Sequence, residues 1–231
     1  MTSLIGVGLY SIPEASVLTG IPSRKIRGWM LGYESGSRSR QAPLWKSAVT
    51  ESIDNTISFQ DLLEIRFVNA FRQYGVQLPT IRAAVKQAKE YFDQDYPFTC
   101  RRFQTDGRSI FATVEEETGD ESLVDLIKKQ NVFNRVIKPS LYTGIEYDGD
   151  ESSALRWFPV PKSKKVVLDP ARSFGKPIVT AAGITTETLY QSWLAEDQNA
   201  KMVASLYEVD TASVNAAVSF EQRIAGGEVP H

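Results

Sequence analysis

Residues 11 to 45 read SIPEASVLTGIPSRKIRGWMLGYESGSRSRQAPLW, and this stretch carries the clearest structural signal of the chain. Ser11 and Glu14 have the spacing of a capping box, in which each side chain binds a free backbone N–H of the first helical turn. A short helix is therefore expected to begin there. Gly20 and Pro22 end it, because glycine tolerates a tight turn with positive φ and proline disfavours helix at the preceding residue.

A second short helix is predicted from Arg24 to Leu31, with Ser23 as its capping residue. Ile26 and Met30 are four residues apart and share one face, which can pack against the first helix. The other positions of its first turns are cationic: Arg24, Lys25 and Arg27. One face is thus predicted to pack, while the other is free to meet phosphates and bases.

Positive charge is concentrated between residues 21 and 46. This segment holds a single anion, Glu34, and six cations: Arg24, Lys25, Arg27, Arg38, Arg40 and Lys46. Its net charge is +5 in a chain of net charge −2, so the remaining residues carry −7. A basic patch on an acidic body is typical of a protein that presents one surface to DNA. The alternative is a solvated loop with several arginines.

Composition limits the other possibilities. With 231 residues, 42% of them hydrophobic, the chain can bury ordinary cores in one to three domains. It contains no apolar run near the ~20 residues that span a bilayer and no N-terminal signal core, which predicts a cytoplasmic protein without membrane contact. The single cysteine, Cys100, excludes an internal disulfide and is expected to be a structural residue in a strand.

The residue inventory argues against catalysis. The one histidine is His231, and one cysteine cannot form a thiolate zinc cluster. An acidic run between Glu115 and Glu121 has no metal-ligand spacing and is expected to be a solvated loop. We therefore predict no catalytic residue, no metal and no cofactor, and a protein that is not an enzyme.

Two longer helices are predicted after the basic segment. Ser58 can cap the first, which ends at Gly75, and the second follows Leu78 and Pro79. The apolar positions of the second helix alternate in spacing between three and four: Leu78, Ile81, Val85, Ala88 and Phe92. Such a seam packs against one other helix, either inside the same domain or across a dimer.

The first 95 residues resemble the MerR-type winged helix-turn-helix regulators. The resemblance rests on TGIPSRKIRGWM at residues 19–30 and on TISFQDLLEIRFVNAFRQYGVQLPTIRAAVK at residues 56–86, in that order. It implies that four residues lie at the major groove or its phosphates: Ser23, Arg24, Lys25 and Arg27. It also implies that Arg38 and Arg40 lie on the wing, with Trp45 near the aromatic position that ends it. The cysteine metal sensors of some members are absent, so metal sensing is not implied.

The pattern then changes to short β-like runs. Asp106 and Gly107 are typical of a tight hairpin turn between strands at residues 98–104 and 110–114. The other predicted elements are a helix at 123–129 and strands at 132–137, 141–147 and 155–160. They predict a strand-rich middle module that ends at the segment PVPKSKK, residues 159–165.

Three helices are predicted near the C-terminus, beginning near Thr185, Gln198 and Thr211. The last two have helix-turn-helix proportions, but their surroundings are acidic, which favours protein binding over DNA binding. The segment resembles a small C-terminal domain of unknown function found in VapB-like antitoxins. The matching motifs are VVLDP, GKPIV and VASLYEVDTASVNAAVSFE.

Together these patterns predict a mainly α protein with a central α+β part. The expected domains are a MerR-like winged helix-turn-helix at 1–95, a strand-rich middle module at 96–161, and a three-helix, homeodomain-like domain with a tail at 162–231. The order of the two resemblances is that of larger VapB-type antitoxins, and it implies a toxin partner of the PIN-type ribonuclease class.

The expected function is that of an antitoxin that binds its toxin and represses its own promoter. As a homodimer it would place two recognition helices about 34 Å apart, or a multiple of that, on a palindromic operator. The alternative is a stand-alone MerR-like regulator whose C-terminal half binds a ligand or another protein. Four aromatic residues can line such a pocket or belong to the sheet core: Tyr142, Tyr147, Trp157 and Phe158.

Overall fold

The first helix begins at the predicted capping box. In the computed structural model, which describes residues 6–35, 39–119, 141–149 and 153–227, helix α1 spans Ile12–Thr19. The Glu14 N–H donates to Ser11 Oγ at 3.3 Å, and the Ser11 N–H donates to Glu14 Oε2 at 2.7 Å. Gly20 follows with a φ of 66°, so the predicted start and end of this helix are confirmed.

Short strands frame this N-terminal part. Strand β1 is Leu9–Ser11, helix α2 is Ser23–Leu31, and strands β2 and β3 are Tyr33–Ser35 and Ser39–Gln41. Helix α3, Ala48–Ser52, and strand β4, Thr56–Ser58, follow. The strands form two separate antiparallel pairs, β1 with β4 and β2 with β3, so α2 is followed directly by a two-stranded hairpin.

Three longer helices carry the main core: α4, Phe59–Gln73; α5, Leu78–Phe92; and α6, Phe103–Thr118. Ser58 caps α4, as predicted, in a capping box with Asp61. The Phe71 ring lies edge-on to Phe98 and Phe111, with centroid distances of 5.1 and 4.9 Å. These rings join α4 to α6 and to the turn that precedes α6.

The predicted hairpin around Asp106 and Gly107 is wrong, because both residues lie inside helix α6. The buried positions of this segment follow the helical period: Phe103, Gly107, Ile110, Phe111 and Val114. Glycine at position 107 leaves room for the Phe103 ring, which lies over it. A Cβ at position 107 would lie only 2.7 Å from a ring carbon.

The apolar seam of α5 packs within the chain. Ile81, Val85, Ala88 and Phe92 are all buried, and the main neighbour of α5 is α6. The intramolecular alternative is therefore the one the structure shows, and this seam is not available to a second copy. Cys100 is buried, but it lies in a bend before α6 and not in a strand.

A buried carboxylate holds the turn before α6. Glu64 on α4 accepts hydrogen bonds from the backbone N–H groups of Phe98 and Thr99, each at 3.0 Å. Burial raises the pKa of Glu64 to about 8, although these hydrogen bonds favour the ionised form. Arg66, also on α4, lies over the Trp157 ring at 4.0 Å from its centroid, which connects α4 to the sheet described next.

Four short strands form one antiparallel sheet in sequence order: β5, Ile145–Tyr147; β6, Ala154–Trp157; β7, Val166–Leu168; and β8, Pro177–Val179. The sheet joins strands from both sides of the boundary predicted near residue 161. The predicted strand at 141–147 is confirmed only from Ile145 onward, because Leu141 and Tyr142 are helical. The elements predicted at 123–129 and 132–137 lie outside the described residues.

The four aromatic residues considered for a pocket belong to the interior. Tyr142, Trp157 and Phe158 are buried, and Tyr147 packs partly buried against the main core. The Tyr142 hydroxyl donates to the Phe98 carbonyl oxygen at 2.8 Å. The sheet-core alternative is therefore correct for these residues.

The three C-terminal helices begin where they were predicted. Helix α7 is Thr186–Ala195, α8 is Ala200–Leu206 and α9 is Thr211–Ala225, each with a side-chain cap. Their capping residues are Thr185, Asn199 and Asp210. We call helices α7 to α9 the C-terminal helical unit. Among the described residues, no helix is long and apolar enough to cross a membrane.

Candidate nucleic-acid interface

Helix α2 has one buried face and one cationic face. Ile26, Trp29 and Met30 are buried, which fixes the helix against the core. The exposed positions are those predicted to carry charge: Arg24, Lys25 and Arg27. The separation predicted between a packing face and a charged face is therefore present in the structure.

The start of α2 differs from the prediction. Ser23 is the first residue of the helix and not its cap, and Pro22 occupies the capping position without a side-chain hydrogen bond. The Pro22 carbonyl oxygen instead accepts from the N–H groups of Lys25 and Ile26, at 2.8 and 3.2 Å. Proline serves here because its fixed φ suits a helix start. Ser23 is half-buried beside the exposed cations.

The β2–β3 hairpin follows α2 after a single residue, Gly32. In its register Glu34 lies opposite Arg40, and Tyr33 lies opposite Gln41. Arg40 is thus a residue of β3, whereas Arg38 lies outside the described residues. Gly32 has a φ of 77°, and a Cβ there would lie 2.2 Å from the Gln41 carbonyl oxygen, so only glycine fits this junction.

Two hydrogen bonds tie the end of the hairpin to the helices. The Leu44 N–H donates to the Trp29 carbonyl oxygen at 2.8 Å. Arg82, on α5, donates from Nη2 to the Ala42 carbonyl oxygen at 2.7 Å. The position of the hairpin relative to α2 therefore depends on both helices. The role of Arg82 could not be predicted from the sequence, because no local pattern indicates a contact between residues 40 positions apart.

Asp61 anchors the chain that leaves the hairpin. Its fully buried carboxylate accepts from Trp45 Nε1 at 2.8 Å and from Ser47 Oγ at 2.6 Å. It also accepts from Ser58, through the backbone N–H at 2.9 Å and the hydroxyl at 2.7 Å. Trp45 is thus a buried structural residue, and Lys46 is held between two anchored neighbours with its own side chain exposed.

The basic surface continues from α2 onto α4. Lys25 and Arg72 both line a cavity of about 300 Å³ beside α2. The Arg72 guanidinium donates to the Val76 carbonyl oxygen at 2.7 Å, which fixes its position. Arg72 could not be predicted as part of this surface, because it lies 26 residues beyond the end of the basic segment at Lys46. The helical turns of α4 place it next to α2 only after folding.

Of the seven residues predicted to bind DNA, six lie within the described part of the chain. Arg24, Lys25 and Arg27 are exposed on α2, and Arg40 is a residue of strand β3. Lys46 is exposed after the hairpin, and Ser23 is half-buried at the start of α2. The arrangement is a cationic helix followed by a tethered two-stranded hairpin.

Comparison with known proteins gives two sequence relatives from Mycobacterium tuberculosis (strain ATCC 25618 / H37Rv). The protein named "Putative antitoxin VapB45" is 25% identical over 191 residues, which cover 77% of this chain and 79% of that protein. "Uncharacterized protein Rv2308" is 21% identical over 229 residues, covering 96% and 94%. The first relative supports an antitoxin-like relationship for this chain.

A solved structure shares the fold. The crystal structure of Rv2018 from Mycobacterium tuberculosis superposes with a TM-score of 0.66 at 20% sequence identity, covering 93% of this chain and 99% of that one. No protein-family model matches the chain. The fold is therefore one that a mycobacterial protein also adopts over nearly its whole length.

Proposed function

We propose that this protein is a non-enzymatic antitoxin that binds operator DNA through α2 and the β2–β3 hairpin and neutralises a PIN-type ribonuclease toxin. The observation that carries the DNA part is the outward cationic face of α2, next to a hairpin that is tied to the same core. The toxin part is supported by the relative named as an antitoxin.

The dimensions of α2 suit the major groove of DNA. Its nine residues give a length of about 14 Å, and the groove of B-DNA is about 12 Å wide and admits one α-helix. Its three exposed cations can neutralise phosphates or bind base edges. With Arg24 and Arg27 near the groove, the hairpin would contact the adjacent sugar-phosphate backbone of the DNA.

The DNA proposal is tested with the double variant Arg24→Ala/Arg27→Ala. Lys162→Ala/Lys201→Ala is the matched control, because it removes the same charge from exposed positions far from α2 along the chain. Binding to DNA from upstream of the protein's own gene is measured by fluorescence anisotropy between 50 and 200 mM salt. If both arginines bind phosphates, the slope of log K against log salt falls by about 1.8. An unchanged slope, or an equal loss in the control, contradicts the assignment.

An apolar surface on α8 is the proposed toxin contact. Met202 and Leu206 are 52% and 62% exposed, and their spacing of four places them on one face of the helix. The acidic residues on either side of this helix in the sequence disfavour DNA at this surface: Glu196, Asp197, Glu208 and Asp210. Exposed apolar side chains near acidic ones are suited to a protein partner.

The toxin proposal is tested by affinity purification of the tagged full chain from its native cells, followed by mass spectrometry. A near-stoichiometric small ribonuclease is the expected result. Met202→Asp/Leu206→Asp should lose it, whereas Leu155→Asp, an exposed apolar residue on β6, should retain it. Recovery of the protein alone, still able to bind its promoter, contradicts the antitoxin proposal and favours a stand-alone regulator.

The proposed operator is palindromic and the proposed form on DNA is a homodimer. Two copies of α2 about 34 Å apart would read half-sites one helical turn apart. Because the α5 seam is buried within the chain, the dimer contact must use another surface. The mass of the complex with a single operator measures the stoichiometry: one copy per operator contradicts the dimer.

A further inference from the structure

A cavity of about 520 Å³ lies between α1 and the C-terminal helical unit. Its apolar wall comes from both sides, with Val17 and Leu18 on α1 facing Tyr190 on α7 and Ile224 on α9. Cavities of about 300 to 1,000 Å³ that are mainly apolar with a few polar groups are the usual size and character of small-molecule sites. None of its lining residues belongs to α2 or to the β2–β3 hairpin, so this cavity is separate from the candidate nucleic-acid interface.

The charges that line this cavity are mostly negative. Glu14 from α1, Glu187 from α7 and Glu221 from α9 stand against one cation, Lys176, which precedes β8. The three carboxylates come from three different helices, so folding brings them together and no local sequence pattern does. An apolar cavity with excess negative charge is complementary to a ligand that combines an apolar body with a positive charge.

Among these three carboxylates, Glu221 is the one that we expect to attract a cation most strongly. It is half-buried and accepts a hydrogen bond from the buried hydroxyl of Thr186. Burial raises the pKa of Glu221, the hydrogen bond from Thr186 lowers it in part, and the nearby charge of Glu187 raises it. The Thr186 hydroxyl therefore compensates the ionised form only in part, and a bound cation would stabilise that form further.

Tyr190 adds an aromatic face to the same wall. Its ring is half-buried and stacks on Trp193 with a centroid distance of 6.0 Å and an interplanar angle of 20°. Stacking holds the ring in one orientation, so it is preorganised. A tyrosine face attracts ammonium groups within about 6 Å of its centroid.

We propose that the cavity between α1 and the C-terminal helical unit binds a small organic cation with an apolar body. The positive group lies near Glu221 and Glu187, and the apolar body lies between Val17, Ile224 and the Tyr190 ring. This site is independent of the proposed contacts with DNA and toxin, because none of its residues belongs to α2, the hairpin or the apolar surface of α8.

The test is isothermal titration of the full chain with three probes of similar aromatic body and different charge. Benzyltrimethylammonium is the cation, benzyl alcohol the neutral probe and benzoate the anion. The cation is expected to bind at least about tenfold more tightly than either of the other two, because the carboxylates and the Tyr190 ring attract only the positive probe and a tenfold difference requires about 1.4 kcal/mol. Equal binding of all three probes, tighter binding of benzoate or no binding of the cation overturns the proposal.

Three variants locate the binding. Glu221→Gln keeps an oxygen for the Thr186 hydrogen bond and should weaken binding of the cation about tenfold, whereas the exposed Glu196→Gln should leave it unchanged. Val17→Trp fills the cavity from an exposed position on α1, where it need not disturb the core, and should abolish binding without lowering the melting temperature. Unchanged affinity in both Glu221→Gln and Val17→Trp places the probe elsewhere and overturns the assignment.

Discussion

Removal of the Asp61 carboxylate should cost this protein a large part of its stability. The side chain is fully buried and accepts four hydrogen bonds between 2.6 and 2.9 Å. In Asp61→Ala the Trp45 indole N–H and the Ser58 backbone N–H lose their acceptor inside the core. Each buried unsatisfied donor costs about 1–3 kcal/mol, and the lost capping box costs about 1 kcal/mol more. The hydroxyls of Ser47 and Ser58 can rotate to other partners, so we expect a total loss of about 3–7 kcal/mol.

The measurement is urea denaturation followed by tryptophan fluorescence, with Asp54→Ala as the matched control. Asp54 precedes the same strand, β4, but its side chain is exposed, so its loss should change the free energy of unfolding by less than about 0.5 kcal/mol. Asp61→Asn is the second variant. It retains one acceptor oxygen but turns an amide toward the donors, and it should fall between the wild type and Asp61→Ala. A loss below about 1 kcal/mol in Asp61→Ala would refute this account of the anchor.

Three further predictions concern the core and the hairpin. The pKa of Glu64 is higher in the folded chain, about 8, than its ordinary value of 4.5, so the folded state binds the proton more tightly and its stability should fall as pH rises between these values. The difference in unfolding free energy between the wild type and Glu64→Gln, measured by denaturation from pH 5 to 8, should change by on the order of 3 kcal/mol. A difference that does not vary with pH would count against the effect of burial on this carboxyl group. Arg82→Gln removes the hydrogen bond to the Ala42 carbonyl oxygen. It should weaken DNA binding several-fold, measured by anisotropy, while denaturation shows a loss of only about 1 kcal/mol in the free energy of unfolding. An affinity equal to that of the wild type would show that the hairpin does not need this hydrogen bond. Gly32→Ala places a Cβ against the Gln41 carbonyl oxygen at a positive φ. It should reduce DNA affinity more than the control Gly75→Ala, which also has a positive φ but whose added Cβ meets no other atom. Similar affinities in the two variants would contradict the close junction between α2 and the hairpin.

Elements with local end signals could be predicted from the sequence. The start of α1 depends on Ser11 and Glu14, and the starts of α7, α8 and α9 depend on caps within three residues of the helix. Such signals are local hydrogen bonds, and they act before tertiary packing is complete. The cationic face of α2 could be predicted for a similar reason, because helical spacing alone separates Ile26 and Met30 from the arginines.

The elements that were misjudged depend on partners distant in sequence. Asp106 and Gly107 have the composition of a turn, but the Phe103 ring over Gly107 and the apolar period from Phe103 to Val114 favour a helix packed on α5. The seam on α5 was correctly predicted to be apolar. Its spacing does not distinguish a partner helix in the same chain from a helix of a second copy. Arg72 and Arg82 reach the candidate interface only through the packing of α4 and α5.

The four-stranded sheet has a consequence for how this protein can be divided or recombined. Strands β6 and β7 pair across the segment of residues 159–165, and β7 pairs in turn with β8 next to the C-terminal helical unit. A fragment that started at residue 162 would leave β7 as an exposed sheet edge with free backbone groups, which invites pairing with other chains. Tyr10 adds a second link, since its hydroxyl donates to the Gly175 carbonyl oxygen at 2.6 Å. A C-terminal fragment that keeps the whole sheet would therefore have to begin before Ile145. Even that fragment would lose the hydrogen bond from Tyr10.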